Sequence, residues 1–408
     1  MSLLREEYLQ MIRPYYDADV IKVITGVRRA GKSVLLSQIR NEIAGKGVPE
    51  DHLIYMNLED LDFDYISTAG ILNKEIKSRI RDKNRYYLFF DEIQKVNGFE
   101  KALASFRATQ KVFIFVTGSN STLLSGEMNT LLTGRTVEFE ILPFSFYEMK
   151  AYYTINNRTF PENAIYDYIK WGGFPLRFDF KDEESVRRYL KNLYTGIVSR
   201  DILKKESAKK EIFIAVSLYI LANAGKEFSA ENIADYYNKE HKGRKNSLSS
   251  RTVYGYLEKM EKAFLIHRVR RYDISRKKAL GSKEKFYAVD TGLRTLQTNS
   301  VSYEDTFFLE NVVYNELVRR GCEVYIGKTY KGEVDFVAIK NGKKCFIQVS
   351  YLMESASTIK REFGAYTPIR DASPKYVLSL DKLDMSRDGI IHLNIEDFLL
   401  HKKELMMS

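Results

Sequence analysis

Residues Gly26-Val27-Arg28-Arg29-Ala30-Gly31-Lys32-Ser33 fit the pattern G-x-x-x-x-G-K-[ST] at every fixed position. Such a pattern serves to hold phosphate. Glycines let the backbone curl until successive N–H groups face inward around anionic oxygens. Lys32 adds a cation that reaches the terminal phosphates of a nucleotide, and Ser33 offers its hydroxyl to Mg²⁺. Val34, the next residue, extends the expected contact set into the following helix. Arg28 and Arg29 are candidates for phosphate or base contact, with a solvent-facing role as the alternative.

A second group of chemical residues lies further on. Tyr86-Tyr87-Leu88-Phe89-Phe90 ends in Asp91-Glu92. An acid at the C-terminal end of a buried strand stands where such sheets bind ligands. Asp91 suits the Mg²⁺ shell, and Glu92 suits proton removal from an attacking water. Ser119 and Asn120 follow the apolar run Val112–Thr117 and are candidates for sensing the terminal phosphate; capping of the next helix is the alternative. Arg135 is a candidate for charge stabilisation in a neighbouring subunit; an ordinary surface arginine is the alternative.

These residues need rigid elements beneath them. Val20–Thr25, Leu53–Leu58, Tyr86–Phe90, Val112–Thr117 and Val137–Leu142 are short, largely apolar runs suited to strands buried on both faces. Helical stretches such as Ser33–Ala44 and Phe99–Thr109 separate them. The expected fold is α/β, a parallel sheet with helices on both faces. The sheet domain is expected over residues 1–146, a helical region over 147–224, a further helical and hairpin domain over 225–297, and a second α/β domain over 303–408. Trp171-Gly172-Gly173-Phe174-Pro175 predicts a fixed turn in the helical region, and Thr298–Glu304 a linker.

Bulk composition narrows the class. No run approaches ~18 apolar residues, so no membrane span is expected. The N-terminus lacks a signal-peptide pattern. Cys322 and Cys345 are the two cysteines, which excludes a disulfide framework and a zinc site, and a cytoplasmic location is expected. The net charge of +10 is compatible with a polyanionic partner.

That charge concentrates between 225 and 297. Ser229–Tyr237 and Ser249–Ala263 read as helices flanking a basic loop with Lys242, Arg244 and Lys245. Leu265–Arg271 and Lys285–Val289 read as a hairpin. Helix, helix, hairpin is the winged-helix order. Residues 268 to 285 hold eight Lys or Arg against two acids, which fits contact with a DNA backbone; a protein-only contact is the alternative.

The P-loop and the Asp-Glu pair resemble the AAA-like branch of P-loop ATPases. More narrowly, the chain resembles a prokaryotic family of these ATPases with a C-terminal region of unknown function. Leu88–Gln94, Thr117–Ser121, Leu132–Arg135, Leu142–Phe146, Gly172–Pro175, Arg200-Asp201, Tyr256–Glu258, Ala263–Ile266 and Tyr287–Leu293 carry that likeness, in the family's order. The resemblance implies ATP as ligand, and a five-stranded core with the Thr117 strand between the P-loop strand and the Asp91 strand. It also implies assembly into a homo-oligomer with Arg135 acting in trans.

Residues 303–408 resemble the restriction-endonuclease-like nuclease core. Glu310, Asp335 and Gln348 fall at matching places, with Glu333 beside them in the possible site, but Ser350 stands where that family carries lysine. The resemblance therefore implies a degenerate nuclease fold used for binding or assembly. An active nuclease, with Lys344 or Lys360 substituting, and a plain α/β cap are the alternatives. The expected function is Mg²⁺-dependent ATP hydrolysis coupled to DNA binding or remodelling. A nucleotide-gated switch, a protein-interaction ATPase and an ATP-regulated nuclease are the alternative classes.

Overall fold

A computed structural model describes residues 3–109, 111–124, 131–203, 207–240, 247–297 and 306–408. They form two compact units, Met1–Ile141 with Lys262–Phe264, and Leu142–Glu261 with Leu265–Ser408.

The first unit is built on β1 (Ile21–Thr25), β2 (Leu53–Asn57), β3 (Tyr86–Asp91), β4 (Val112–Thr117) and β5 (Thr136–Glu140). All pair in parallel, in the order β2-β3-β4-β1-β5. The β4 strand does lie between β1 and β3. Period-two alternation divides each strand between two faces. Val23, Leu88, Phe90, Ile114 and Val116 pack with Leu72 and Ile76 of α3 (Ala69–Arg79) and Leu103 and Phe106 of α4 (Phe99–Thr109). Ile24, Phe89 and Phe115 pack on the other face with Leu9 and Ile12 of α1 (Glu6–Ile12) and Leu35, Leu36 and Ile39 of α2 (Lys32–Gly45). Each fully buried Leu, Ile or Phe contributes roughly 1.5–3 kcal/mol, so both layers hold the strand tips in place.

The second unit begins with helices Phe146–Ile155, Ala164–Trp171, Glu183–Ile197 and Ser207–Ala222, then Ala230–Glu240 and Ser250–Lys262. A hairpin follows, β6 (Ile266–Asp273) with β7 (Lys278–Ala288). After the helix Thr306–Arg319 come β8 (Glu323–Lys328), β9 (Glu333–Lys340), β10 (Lys343–Val349), β11 (Lys375–Ser379) and β12 (Ile390–Asn394). Asn341 and Gly342, both at positive φ, make the tight β9–β10 turn.

One organisational expectation changes. The boundary drawn between 297 and 303 is not a break in the sheet. β6 pairs in parallel with β8, with Arg271 opposite Ile326, so hairpin and C-terminal strands form one sheet of seven in the order β12-β11-β10-β9-β8-β6-β7. The chain re-enters the sheet edge because β8 would otherwise expose its backbone groups. The basic loop with Lys242, Arg244 and Lys245 and the linker Thr298–Glu304 lie outside the described residues.

Candidate nucleotide and hydrolysis site

The loop after β1 has the shape its glycines require. Gly26 sits at φ +131°, and a Cβ there would stand 2.3 Å from the Ile141 carbonyl oxygen. Gly31, at φ +101°, caps α2 with no side-chain hydrogen bond, so the first-turn N–H groups of the helix are left to face a ligand. Lys32 is only 4% exposed, and its Nζ donates to the carbonyls of Gly26 at 2.9 Å and Val27 at 3.0 Å. Ser33 and Val34 are exposed beside it. Arg28 is paired with Glu59 at 2.8 Å, while Arg29 faces solvent at φ +68°.

The carboxylates stand at the end of β3, which β4 separates from β1. Asp91 is 2% exposed and Glu92 8%. Thr117 Oγ1, on β4, accepts the Glu92 backbone N–H at 2.9 Å and donates to Asp91 Oδ1. Tyr55 OH donates to Asp91 Oδ2 at 3.4 Å. Ser119 Oγ donates to Glu92 Oε2 at 3.2 Å, whereas Asn120 follows one residue further along the loop. Glu92 itself adopts φ +54°, ψ +50°, a left-handed conformation rare for a side chain of this size.

Arg135 is separate from this group within its own chain. Its carbonyl accepts the N–H of Ile21, at the start of β1, while the phosphate loop leaves the end of that strand. At about 3.3 Å per residue, the five-residue strand keeps its guanidinium from the loop.

Two contributors carried no motif. Thr117 ties the Asp91 carboxylate to the Glu92 backbone N–H, and strand order brings it there. Arg5 lies behind the loop, buried, with Nη1 donating to the Ala30 carbonyl at 2.9 Å and its guanidinium 4.8 Å from the Tyr8 ring. Its signal was in the sequence: Arg5, Tyr8, Leu9 and Ile12 share one helical stripe, an arginine on an apolar face.

In the second unit Glu310, Glu333, Asp335 and Gln348 do converge. Gln348 Oε1 accepts the Asp335 N–H at 3.3 Å, and Asp335 Oδ2 accepts the Val349 N–H at 2.8 Å. Burial and the mutual repulsion of Glu310 and Asp335 push Glu310 well above the usual carboxylate range; burial pushes Asp335 up to about 7. Their cationic neighbour comes from an unexpected place. Lys285, 5% exposed on β7, meets Glu333 at 2.6 Å, whereas Lys344 is paired with Asp371 at 2.6 Å. Glu333, Asp335, Gln348 and Lys360 border a cavity of about 560 Å³. Ser350 is buried, its N–H bonded to the Leu378 carbonyl. Among the described residues no three His, Cys, Asp or Glu side chains are placed to hold a metal ion.

The basic hairpin is less basic outward than its sequence. Arg268 is paired with Glu261 and Glu284, Arg271 with Glu227 and Glu333, and Lys285 is buried. Arg270, Arg276, Lys277 and Lys278 remain exposed, and the Lys283 side chain lies outside the described residues.

A family model described as AAA domain matches residues 18–150, and one described as Domain of unknown function (DUF8612) matches 162–302. An uncharacterised protein of Haemophilus influenzae is 32% identical over 400 residues, covering 97% of this chain and 98% of its own. One of Methanocaldococcus jannaschii is 34% identical over 394 residues, covering 93% and 83%. A solved Walker-type ATPase of Pyrococcus abyssi is similar in fold, with a TM-score of 0.52 at 18% identity, covering 72% of this chain and 95% of that one. No helix among the described residues is long and apolar enough to cross a membrane.

Proposed function

The chain belongs to the AAA-domain family of P-loop ATPases that its near-full-length relatives share, and from that premise we propose that it binds ATP with Mg²⁺ and hydrolyses it to ADP and phosphate. The observation that carries the proposal is the joining of Asp91 and Glu92 by Thr117 at neighbouring strand ends. A site for holding a nucleotide needs only the loop; a buried acid pair fixed beside it serves hydrolysis.

The loop N–H groups and Lys32 hold the phosphates, at the positive end of α2. Ser33 and Asp91 hold Mg²⁺, which when bound neutralises phosphate charge. Glu92 accepts the proton of the attacking water, a role worth ~10²–10⁴ in rate. Ser119 steadies the Glu92 carboxylate, and Asn120 stands beside it as a candidate phosphate sensor. Arg135 reaches the site of a second copy in a homo-oligomer. Cys322 and Cys345, both free and buried, fit a reducing cytoplasm.

Turnover and nucleotide binding of Lys32→Ala and Glu92→Gln test this reading. Lys32→Ala is expected to lose nucleotide binding. Glu92→Gln is expected to keep ATP bound while turnover falls ~10²-fold or more. Unchanged turnover in Glu92→Gln would overturn hydrolysis by this site; a wild type that holds ATP without turnover is a nucleotide-gated switch.

We further propose that hydrolysis is coupled to DNA contact through Arg270, Arg276, Lys277 and Lys278, the hairpin cations left exposed. The acid cluster around Asp335, with no lysine at Ser350, is read as a degenerate nuclease core used for binding or assembly.

A further inference from the structure

Gln94 lies on the turn Ile93–Lys95 that follows the acid pair. Its Nε2 donates to Glu92 Oε2, the same oxygen that receives Ser119 Oγ. Its Oε1 is buried and meets no donor among the described residues. That oxygen lies against the tip of β4, where a Cβ on Gly118 would stand 2.9 Å from it. The amide therefore occupies space that any side chain at 118 would contest.

A buried amide oxygen without a donor is disfavoured. The left-handed backbone of Glu92 is a second strained feature, sustained by the Thr117 hydrogen bond. Both features converge on the gap between the tips of β3 and β4, beside the Glu92 carboxylate. An attacking water has two hydrogens. Glu92 takes one, and an acceptor for the other fixes the direction of the attacking lone pair. Orientation of this kind is a large part of what a site contributes to rate.

We infer that Gln94 is a positioning residue for hydrolysis: its N–H group holds the Glu92 carboxylate, and its Oε1 accepts the second hydrogen of the water that Glu92 activates. This rests on the hydrolytic reading of Glu92 above.

Steady-state ATP turnover, affinity for a non-hydrolysable ATP analogue and thermal unfolding of the full chain test it. Gln94→Leu keeps a side chain of similar volume and removes both polar groups; Gln94→Glu keeps an acceptor, removes the donor, and serves should the leucine variant not fold. Either is expected to lower kcat ~10-fold or more with KM and analogue affinity within ~2-fold. An unchanged kcat overturns the inference, as does a fall in kcat matched by an equal loss of analogue affinity. Glu92→Gln, assayed alongside, separates the two readings. If it leaves turnover intact, the hydrolytic reading itself falls; if it abolishes turnover while Gln94→Leu does not, only the role of Gln94 falls.

Discussion

Asp290 Oδ2 accepts the backbone N–H of Gly173 at 2.6 Å, joining segments 117 residues apart in the chain. Its Oδ1 accepts the Gly292 N–H at 2.9 Å. Gly172 turns the chain there at φ +69°, and a Cβ on it would stand 1.8 Å from Asp290 Oδ1. Arg177 Nε closes the knot by donating to the Gly172 carbonyl at 2.6 Å. The turn at Trp171–Pro175 and the stretch Tyr287–Leu293 are thus two halves of one structural lock.

Burial pushes the Asp290 carboxyl up to about 6, partly offset by the Gly173 and Gly292 N–H groups. A folded-state value above the unfolded one means that this group favours folding more as pH falls through 6, and loses that contribution as pH rises. Asp290→Asn removes the titration. The stability gap between wild type and Asp290→Asn is expected to be about 1 kcal/mol wider at pH 5 than at pH 7. Asp290→Ala orphans two buried N–H groups and is expected to cost about 2–4 kcal/mol. Urea unfolding at both pH values measures each.

Arg5 braces the phosphate loop from behind through the Ala30 carbonyl. Arg5→Ala is expected to weaken nucleotide binding ~10-fold and to lower stability by about 2–4 kcal/mol through poorer packing and an unpaired carbonyl. Arg5→Lys restores charge but not the planar fork, so it is expected to rescue affinity only in part. Titration with a fluorescent nucleotide, beside thermal unfolding, reads both.

Arg135 precedes β5, whose far end lies near the phosphate loop, and is proposed to act on another copy's site. Arg135→Ala is expected to lower turnover ~10³-fold while leaving nucleotide affinity unchanged. Mixing Arg135→Ala with Lys32→Ala is expected to recover turnover that neither shows alone. No recovery in a mixture shown to co-assemble would contradict action in trans.

Among its described residues the hairpin offers four exposed cations, including Arg276 at 80% side-chain exposure. Replacing Arg270, Arg276, Lys277 and Lys278 with alanine is expected to flatten the dependence of DNA affinity on salt, by up to about 0.9 in slope for each phosphate no longer neutralised. Arg268→Ala, which breaks pairs with Glu261 and Glu284, is expected to leave that slope unchanged. Salt-insensitive binding, or none to duplex, fork or junction DNA, would remove DNA as the partner.

Much of the nucleotide site was legible because its chemistry is local. Gly26–Ser33 lies within one turn of chain, and Asp91-Glu92 closes one apolar run, so spacing alone reports both. The alternation of apolar runs and helices likewise reported the parallel sheet. The outward charge of the β6–β7 hairpin was not legible, for the opposite reason. Eight cations in eighteen residues read as one basic surface, but Glu227, Glu261 and Glu333 come from other elements and, with Glu284 of the hairpin itself, neutralise three of them.

The sequence by itself determined the loop, the acid pair, the turn residues and the type of each element, since glycine conformation, strand periodicity and helix stripes act over a few residues. Tertiary structure decided what those residues touch. It set Thr117 between Asp91 and Glu92, placed Gln94 against Gly118, brought Lys285 from the hairpin to Glu333, and joined that hairpin to the C-terminal sheet. The physical reason is that strand order and register place residues tens of positions apart within hydrogen-bond reach, and no local pattern carries that pairing.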